Sequence, residues 1–458
     1  MARVSVAARL DRLPKSGYLR QMIVLLSLGG AFEFYDIFFT AYIAPALYRS
    51  GIFTPTTRGL FDVQGYASFV ASLFAGLFVG TFFFGRLSDR LGRRPIFSFS
   101  LLWYSVCTLV MAFQSTAAGL DLWRFLAGIG VGVELVTIDT YLSELVPPTD
   151  RGKAFAFNQF ISFLAVPFAA LASWLLVPLH VLGLEGWRWV ALLGASGAIF
   201  VWFMRRGLPE SPRWLEQQGK IEEAERVIAN IEDRVSAEVN RQLPTPAQVA
   251  QESVEGRGSW KEMWAAPYRR RTVVLVVFHI LQSLGYYGFA NWVPTLLLAK
   301  GVGVTSTLRY TFVIASASPL GPIAGWFFAD KFERKWQCAW SGLLIGAFGL
   351  LFSQQRSAFG VILFGMLITL SSNWLSFAIH AYHSELYPTR IRAQAVGFVF
   401  SWSRLSAIAS SFVIALTLRQ YGAKGVFVLI ACGMALLFTV TGAFGPRTSR
   451  RRLEEIAH

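Results

Sequence analysis

Charged residues and cysteine are both scarce in this chain of 458 residues. Asp, Glu, Lys and Arg make up 15% of the sequence, against about 25% in ordinary soluble proteins. Hydrophobic residues make up 54%, and 40 residues are phenylalanine. A soluble fold could not bury so much apolar surface, and a disordered chain would not contain it. The composition therefore indicates a protein that lies in a lipid bilayer.

Motifs of metal, redox and nucleotide chemistry are missing as well. Cys107, Cys338 and Cys432 are far apart and form no CxxC pair, which excludes a disulfide framework. His380 and His383 could ligate a metal one helical turn apart, but no third ligand is obvious in the sequence. No Walker lysine, HExxH or GxSxG motif is present. We therefore expect no enzyme, no use of ATP, and no metal or cofactor.

The apolar residues are gathered into runs long enough to cross a bilayer, which takes about 20 residues of helix. Twelve such runs lie near 21–47, 63–84, 95–113, 119–142, 155–177, 189–204, 272–298, 310–329, 336–352, 358–382, 395–418 and 425–444. The first run carries Glu33 and Asp36 and lacks a small-residue cleavage site, so it is not a cleavable signal peptide. We predict an all-α integral membrane protein with twelve transmembrane helices.

Lysine and arginine are distributed unevenly among the loops. With the N-terminus inside, the inside segments carry 32 of the 42 basic residues, the outside loops carry 8, and Arg124 and Arg404 lie within runs. Basic loops stay cytoplasmic, so this bias predicts a multi-pass protein with both termini in the cytoplasm. The membrane would be the plasma membrane, or the cell inner membrane in a bacterium. The net charge of +15 then faces anionic lipid, and no nucleic-acid partner is expected.

The longest polar segment, residues 205–271, divides the runs into two sets of six. It holds 12 basic residues and a stretch from 216 to 240 that is rich in Glu, Arg and Ala, which predicts short surface helices. We therefore expect an N-terminal six-helix half over 1–204, a cytoplasmic linker over 205–271, and a C-terminal six-helix half with a cytoplasmic tail over 272–458.

Two short motifs recur with the same spacing of 241 residues. The first pair is Asp89-Arg90-x-x-Arg93-Arg94 and Asp330-Lys331-x-x-Arg334-Lys335. The second pair is Ser143-Glu144-Leu145-x-Pro147-x-x-x-Arg151 and Ser384-Glu385-Leu386-x-Pro388-x-x-x-Arg392. A shared spacing of two independent motifs indicates two homologous halves. Many secondary transporters are built in this way, with the binding site between the halves near the middle of the membrane.

Asp89 lies among arginines on a very short loop, and this combination can do more than orient the protein in the membrane. Such groups can lock neighbouring helix ends by charge-assisted hydrogen bonds. Positive charge alone would explain Arg93 and Arg94 but not Asp89. We predict a gate that holds the cytoplasmic ends of the two halves together. Its candidate residues are Gly85, Asp89, Arg90, Arg93, Arg94, Glu144, Arg151, Asp330, Arg334, Glu385 and Arg392.

The loop Gly85-Arg-Leu-Ser-Asp89-Arg90-Leu-Gly92-Arg93-Arg94 resembles the signature of the major facilitator superfamily, and its second copy has Glu333 in place of the glycine. The segment Pro209-Glu-Ser-Pro-Arg-Trp-Leu215 resembles the sugar-porter signature, as does Arg151-Gly-Lys followed by Phe157-Asn-Gln-Phe160. The resemblance covers the whole chain. It implies the major facilitator fold and a transporter similar to sugar porters, metabolite–proton symporters, or niacin and organic-anion transporters.

Ionisable residues inside the predicted spans are costly, at roughly 2.5–3.5 kcal/mol each, and are therefore candidates for function. Asp36 and Arg124 lie at similar depths in spans that run in opposite directions, so the arginine can reach the carboxylate. The 241-residue shift places Val277 and Gly365 at the equivalent positions, so the shared scaffold does not need the pair. We predict that making and breaking the pair unloads and loads a proton. The resemblance implies the same role, and a static structural pair is the alternative.

Three further acids lie in the same two spans. Glu33 and Glu134 join the proton-coupling candidates, and Glu134 could face either a cavity or a neighbouring helix. Asp139 lies near the cytoplasmic end of its span, where we expect it to cap a helix or to pair with a basic loop residue. The glycines at 128, 130 and 132 are expected to allow close helix packing.

Arg404 is the residue that bears most directly on the charge of the solute. It lies about nine residues into span 11, and its neighbours three and four positions away are not acidic. A guanidinium matches a carboxylate with two parallel hydrogen bonds, so the partner is either an acid on another helix or an anionic solute. The resemblance implies the second, because organic-anion and niacin transporters carry an arginine in this region where sugar porters have glutamine and tryptophan.

Span 7 has few hydrogen-bond donors and several aromatic rings, which suits a flat or partly apolar solute. The substrate-binding candidates are Arg404, Gln159, Gln282, Tyr286, Tyr287, Asn291 and Trp292, although an aromatic packing stripe would explain part of this set.

Three transport functions fit these residues. The first is proton symport of a small organic anion such as an aromatic carboxylate. Sugar–proton symport is favoured by the segment 209–215 and by Gln159, and drug–proton antiport is consistent with the aromatic lining but less so with Arg404. The expected partners are a small solute, protons and the lipid bilayer, and the expected functional unit is a monomer.

Overall fold

The computed structural model describes residues 5–54, 57, 65–84, 87–197, 199, 207–240, 242–246, 259–266, 268–323, 332–387 and 389–447. Within these ranges the chain is almost entirely helical, and its strands form a single short hairpin.

The first half and the linker contain eleven of the described α-helices. They are α1 (Val6–Asp11), α2 (Gly17–Tyr42), α3 (Ala44–Arg49), α4 (Ala67–Val79), α5 (Leu87–Leu91), α6 (Arg93–Met111), α7 (Ala117–Leu145), α8 (Pro148–Leu176), α9 (Gly186–Ala195), α10 (Pro212–Gln217) and α11 (Ile221–Val239). Helix α4 ends in the π-helical turn Gly80–Phe84, and the hairpin of β1 (His180–Val181) and β2 (Leu184–Glu185) joins α8 to α9.

The second half follows a 3-10 turn at Trp260–Trp264. It contains α12 (Tyr268–Ala290), α13 (Val293–Ala299), α14 (Val304–Ala315), α15 (Arg334–Gln354), α16 (Ala358–Glu385) and α17 (Thr389–Phe444).

Nine helical segments within the described ranges are long and apolar enough to cross a membrane. One of them, Gln394–Phe444, has 51 residues. At 1.5 Å per residue it would be about 75 Å long, more than twice the ~30 Å core of a bilayer. Gly422, with φ 65° and ψ −170°, breaks this segment, so it supplies two crossings. The predicted spans 6 and 8 lie partly outside the described residues, and α9 and α14 are their described parts.

Local sequence fixes where several of these helices begin. The hydroxyl groups of Ser16, Thr116 and Ser357 accept hydrogen bonds from backbone amides three residues further along the chain, at 3.1–3.2 Å. Each hydroxyl satisfies an amide that has no partner inside the helix. The predicted starts of spans 1, 4 and 10 therefore agree with the structure to within a few residues.

Helices α4 and α7 pack backbone against backbone. A Cβ atom added at Gly76 would lie 2.1 Å from the carbonyl oxygen of Phe125, and one at Gly128 would lie 2.5 Å from a carbonyl oxygen of α4. Gly132 is equally close to α4, whereas Gly130 faces the side chain of a tryptophan in α6. The prediction that these glycines allow close helix packing is confirmed.

The linker forms a helical cap on the first half. Helix α11 lies within the predicted helical stretch and ends at Asn240 in a left-handed conformation. Arg9 donates to Glu232 at 3.1 Å, and Arg12 does so at 2.6 Å. Burial alone would raise the pKa of Glu232, but the two guanidinium groups lower the pKa below its usual range. The carboxylate is therefore ionised at neutral pH, and these contacts keep α11 on α1.

We expect Gly76→Ala to lower the unfolding temperature of the purified protein in detergent, measured by tryptophan fluorescence. The added methyl group would push α7 away from α4, and such overpacking costs about 1–3 kcal/mol. Gly152→Ala is the matched control, because a Cβ atom there meets nothing within 4 Å. Equal unfolding temperatures for the two variants would contradict the tight interface.

Candidate functional site

A cavity of about 380 Å³ lies between the two halves. Its wall comes from α2, α7, α8 and the π-helical turn after α4 in the first half, and from α12, α16 and α17 in the second. The polar residues of the wall are Glu33, Thr81, Asp139, Thr140, Asn158, Gln159, Ser162, Gln282, Tyr286, Tyr287, Ser376, His380, His383, Ser403 and Arg404. Its volume lies in the range of small-molecule sites.

The cavity opens toward the end of the bundle that carries the linker. Asp139, near the last turns of α7, lines the cavity and is exposed. At the opposite end, aromatic pairs join the two halves. The rings of Trp174 and Phe312 stack with centroids 5.8 Å apart, and Tyr66 meets Trp292 edge-on at 5.9 Å. The molecule is therefore open at the linker end and closed at the other end.

Asp36 and Arg124 form an ion pair that is sealed from solvent. Arg124 Nη1 lies 2.9 Å from Asp36 Oδ2, and neither side chain is exposed. Thr108 donates a hydrogen bond from Oγ1 to Asp36 Oδ1 at 2.8 Å. The arginine also donates to the Asp36 carbonyl oxygen and lies over the ring of Phe39, 4.9 Å from the centroid. The proximity predicted for the pair is present. Thr108 could not be predicted from the sequence, because a single hydroxyl in an apolar run carries no pattern.

The other acids of these two helices have different surroundings. Glu33 lines the cavity and is 1% exposed, and its Oε1 has no hydrogen-bond partner among the described residues. Glu134 is fully buried and packs against α2, where a Cβ atom at Gly29 would lie 3.1 Å from Glu134 Oε1. Glu134 therefore faces a neighbouring helix. Asp139 lines the cavity instead of capping a helix, because the cavity reaches the end of α7.

Arg404 lies in the cavity wall with only 3% of its surface exposed. Its Nη1 donates to Tyr287 Oη at 2.5 Å, and its Cζ lies 5.1 Å from the ring centroid of Phe400. Its Nε has no hydrogen-bond partner in the part of the chain that the structure describes. The partner on another helix is thus a neutral phenol, and the positive charge of Arg404 is not neutralised by it.

Three histidines lie around Phe400, the ring over which Arg404 stands, with ring centroids 5.5–6.4 Å from its own. The ring centroids of His380 and His383 are 5.3 Å apart, and those of His279 and His383 are 5.7 Å apart. His279, from α12, is fully buried, and sequence reasoning missed it because it is a lone polar residue in an apolar span. No three His, Cys, Asp or Glu side chains of the described residues are placed to hold a metal ion.

The predicted substrate residues divide into two sets. Gln159, Gln282, Tyr286 and Tyr287 line the cavity together with Arg404. Asn291 and Trp292 lie at the closed end, where α12 stops and α13 begins, and both are buried away from the cavity wall. The sequence could not separate the two sets, because all the candidates in span 7 lie on one short stretch of helix.

A charged network ties together the helix ends near the first loop motif. Arg93 is 4% exposed. Its Nη2 lies 2.8 Å from Glu144 Oε1, and its Nη1 donates to Asp89 Oδ1 and to the Ser88 carbonyl oxygen, both at 2.7 Å. These partners all belong to the first half. The described contacts therefore join the ends of α5, α6 and α7, and they do not include the predicted lock between the two halves.

The linker takes part in the same network. Glu210 Oε1 accepts hydrogen bonds from the backbone amides of Arg93 at 3.0 Å and Arg94 at 3.3 Å, which caps the start of α6. Trp214 Nε1 donates to the carbonyl oxygen of Asp89 at 2.8 Å. Gly92 has φ 107°, a conformation that other residues rarely adopt, and this turn lets Glu210 approach the helix.

The second half repeats part of this arrangement. Arg334 Nε lies 2.6 Å from Glu385 Oε1, and these two residues stand 241 positions after Arg93 and Glu144. The repeat read from the sequence therefore relates two equivalent ion pairs.

The remaining gate candidates are Gly85, Arg90, Arg151, Asp330 and Arg392. Arg90 is exposed, and Arg151 donates to the carbonyl oxygen of Val146 at 3.4 Å. Gly85 and Asp330 lie outside the described residues, as does the side chain of Arg392.

These features define the class of the protein. Two helical halves enclose a cavity with polar side chains that opens at the linker end, and charged pairs related by the repeat tie the helix ends together. This is the architecture of a secondary transporter with the major facilitator fold of twelve transmembrane helices.

Comparison with known proteins identifies the family. Residues 22–458 match the model of the family described as "Sugar (and other) transporter", and the chain belongs to this family. The protein is thus a multi-pass membrane transporter of the sugar and metabolite type, and it is not an enzyme.

Two curated relatives and one solved structure are similar over nearly the whole chain. A putative metabolite transport protein of Bacillus subtilis, YyaJ, is 33% identical over 98% of this chain and 97% of its own length. The niacin transporter NiaP of Acinetobacter baylyi is 26% identical over 99% of this chain and all of its own. The Escherichia coli xylose transporter XylE, in a partially occluded inward-open conformation, covers 95% of this chain and 100% of its own with a TM-score of 0.73 at 20% identity.

We expect Glu144→Gln to destabilise the protein in detergent far more than Asp89→Asn does. Arg93 is buried, and removing its main counter-charge from such a pair costs about 3–5 kcal/mol. The side chain of Asp89 is 63% exposed, and exposed pairs contribute about 0–1 kcal/mol. Thermal unfolding of the two variants tests this ranking. Equal losses would mean that Glu144 is not the main partner of Arg93.

Proposed function

We propose that this transporter couples proton entry to the uptake of a small organic anion. The observation that carries the proposal is Arg404, a guanidinium buried in the cavity wall whose hydrogen-bonded partner, Tyr287, is uncharged. A carboxylate would neutralise the guanidinium and accept two directed hydrogen bonds from it. The similarity to a niacin transporter supports the same class of solute, and Tyr286, Gln159 and Gln282 would contact the rest of the molecule.

Asp36 and Arg124 are the proposed coupling pair. Their ion pair is closed off from the cavity, and protonation of Asp36 would release the arginine and allow the packed helices around it to rearrange. Glu33 stands three residues before Asp36 and lines the cavity, so it offers a route for the proton between the cavity and the pair. Glu134, buried against α2, is the further acid next to this route.

The proposal also includes the orientation of the protein in the membrane and the division of the chain into two halves and a linker. The end that carries the linker would be cytoplasmic, as its excess of arginine and lysine favours, and the cavity would then face the cytoplasm in this conformation. The halves would be 1–204 and 272–458, with the linker 205–271 between them. One chain supplies every wall of the cavity, which supports a functional monomer. The two repeat-related ion pairs would hold the helix ends of each half rigid while the halves rock.

Sugar–proton symport is the second candidate. The specific observation in its favour is that Gln159 and Gln282 both line the cavity, where their amides could bind hydroxyl groups. Uptake of radiolabelled nicotinate, benzoate and xylose into proteoliposomes with an imposed pH gradient separates the two candidates. The organic-anion proposal requires uphill uptake of an acid and not of the pentose.

We expect Asp36→Asn to abolish pH-driven accumulation of the solute while exchange without a gradient persists. The amide keeps the shape of the side chain but can neither gain nor lose a proton. Asp233→Asn is the matched control, because Asp233 is exposed on the linker helix α11. Unchanged uphill uptake by Asp36→Asn in proteoliposomes would show that the coupling proton binds elsewhere.

We expect Arg404→Gln to weaken binding of the transported acid at least tenfold, which is about 1.4 kcal/mol and modest for a charge-assisted hydrogen-bonded pair. Arg419→Gln, on an exposed part of the same helix, serves as the control. Symport of one proton with a monoanion moves no net charge, so currents on solid-supported membranes should be small for the acid. Large currents with xylose and no effect of Arg404→Gln would favour the sugar candidate instead.

A further inference from the structure

The two walls of the cavity carry charges of opposite sign. The acids Glu33 and Asp139 come from α2 and α7 of the first half. Arg404 comes from α17 of the second half, and the two imidazoles that line the cavity, His380 and His383, come from α16 beside it. The charged groups of the first wall are therefore hydrogen-bond acceptors, whereas the charged group of the second wall is a donor with ring nitrogens beside it.

Glu33 would be stabilised by a hydrogen-bond donor in the cavity. It is 1% exposed, and its Oε1 has no hydrogen-bond partner among the described residues. Arg124, the arginine within α7, forms its ion pair with Asp36. A buried carboxylate oxygen without a partner is costly, and an ionised carboxylate can only accept hydrogen bonds. A donor placed in the cavity would satisfy it.

Arg404, on the opposite wall, would be stabilised by a hydrogen-bond acceptor in the cavity. Arg404 is hydrogen-bonded to a phenol, and its Nε has no partner within the described ranges. None of the ion pairs between described residues joins Arg404 to Glu33 or to Asp139, although all three line one cavity. The opposite charges thus face one cavity of about 380 Å³, with no direct ion pair between them among the described residues.

We infer that the solute is amphoteric, with a carboxylate that binds Arg404 and a cationic nitrogen that binds Glu33. This inference rests on the proposed binding of a carboxylate by Arg404 and adds a second, cationic group to the solute. Symport of one proton with such a net-neutral solute would carry one positive charge, whereas symport with a simple monoanion would carry none. Rings from both halves, Phe34 and Tyr286, also line the cavity and would contact the apolar part of the molecule between the two charges. A zwitterion satisfies both walls at once, whereas a simple anion leaves the carboxylate of Glu33 without a donor.

Matched probes test this inference by binding to the purified protein in detergent, without any pH gradient. The zwitterions 3- and 4-(aminomethyl)benzoate are compared with 3- and 4-ethylbenzoate, in which a methyl group replaces the ammonium group. We expect the wild type to bind at least one zwitterion tenfold or more tightly than its ethyl counterpart. Glu33→Gln should remove this preference by weakening the zwitterion alone, whereas Arg404→Gln should weaken both acids. Asp233→Asn should change neither.

Each outcome bears on the inference. Equal binding of the paired acids by the wild type overturns the amphoteric solute and leaves the organic-anion proposal intact. An equal loss of both acids in Glu33→Gln also overturns it, since Glu33 would then act on the fold or on the proton alone. If no acid binds but xylose does, both proposals fail. The preference of the wild type decides the question even if Glu33→Gln does not fold.

Discussion

A charge in the low-dielectric interior of a membrane protein must have a partner, and the arrangement of this molecule follows from where those partners are. Asp36 and Arg124 neutralise each other on adjoining helices, with Thr108 as a third member. Breaking the pair without protonating the acid would leave two buried charges, which costs several kcal/mol. The state of one carboxyl group can therefore control how α2, α6 and α7 pack. Arg404, by contrast, has a phenol as its hydrogen-bonded partner among the described residues, so no ion pair there balances its charge.

The two halves share a scaffold but differ in their chemistry. The ion pairs Arg93–Glu144 and Arg334–Glu385 are related by the repeat and hold equivalent helix ends. The shift that relates them places Val277 where the first half has Asp36, so the proton-binding candidate has no copy. Structural charges are thus duplicated, whereas candidate functional charges belong to one half each. A cavity between the halves combines acids from one side with a guanidinium from the other, which neither half could do alone.

The cavity lies beside regions in which the helices pack closely. Glycines bring α4 and α7 into backbone contact, and aromatic pairs seal the end opposite the linker. The cavity remains where the halves diverge at the linker end. Its lining combines apolar side chains with polar groups that can orient a molecule, as is usual for sites of small molecules. Glu33 Oε1 and Arg404 Nε have no hydrogen-bond partner among the described residues, so both atoms are free to form directed contacts with a molecule in the cavity.

The sequence by itself determined the membrane class, the number of spans, the repeat, the family resemblance and the pairing of Asp36 with Arg124. These features can be read along the chain, because they depend on the length of the apolar runs, the spacing of the motifs and the rise of a helix per residue. The bilayer makes successive spans run in opposite directions. Only the tertiary structure decided that Glu33 and Asp139 face a cavity while Glu134 faces a helix, and that Trp292 lies at the closed end. It also added Thr108 and His279. Which face of a helix meets a neighbour depends on the rotation and packing of several helices at once, and hydrophobicity cannot reveal it in spans that are apolar all round.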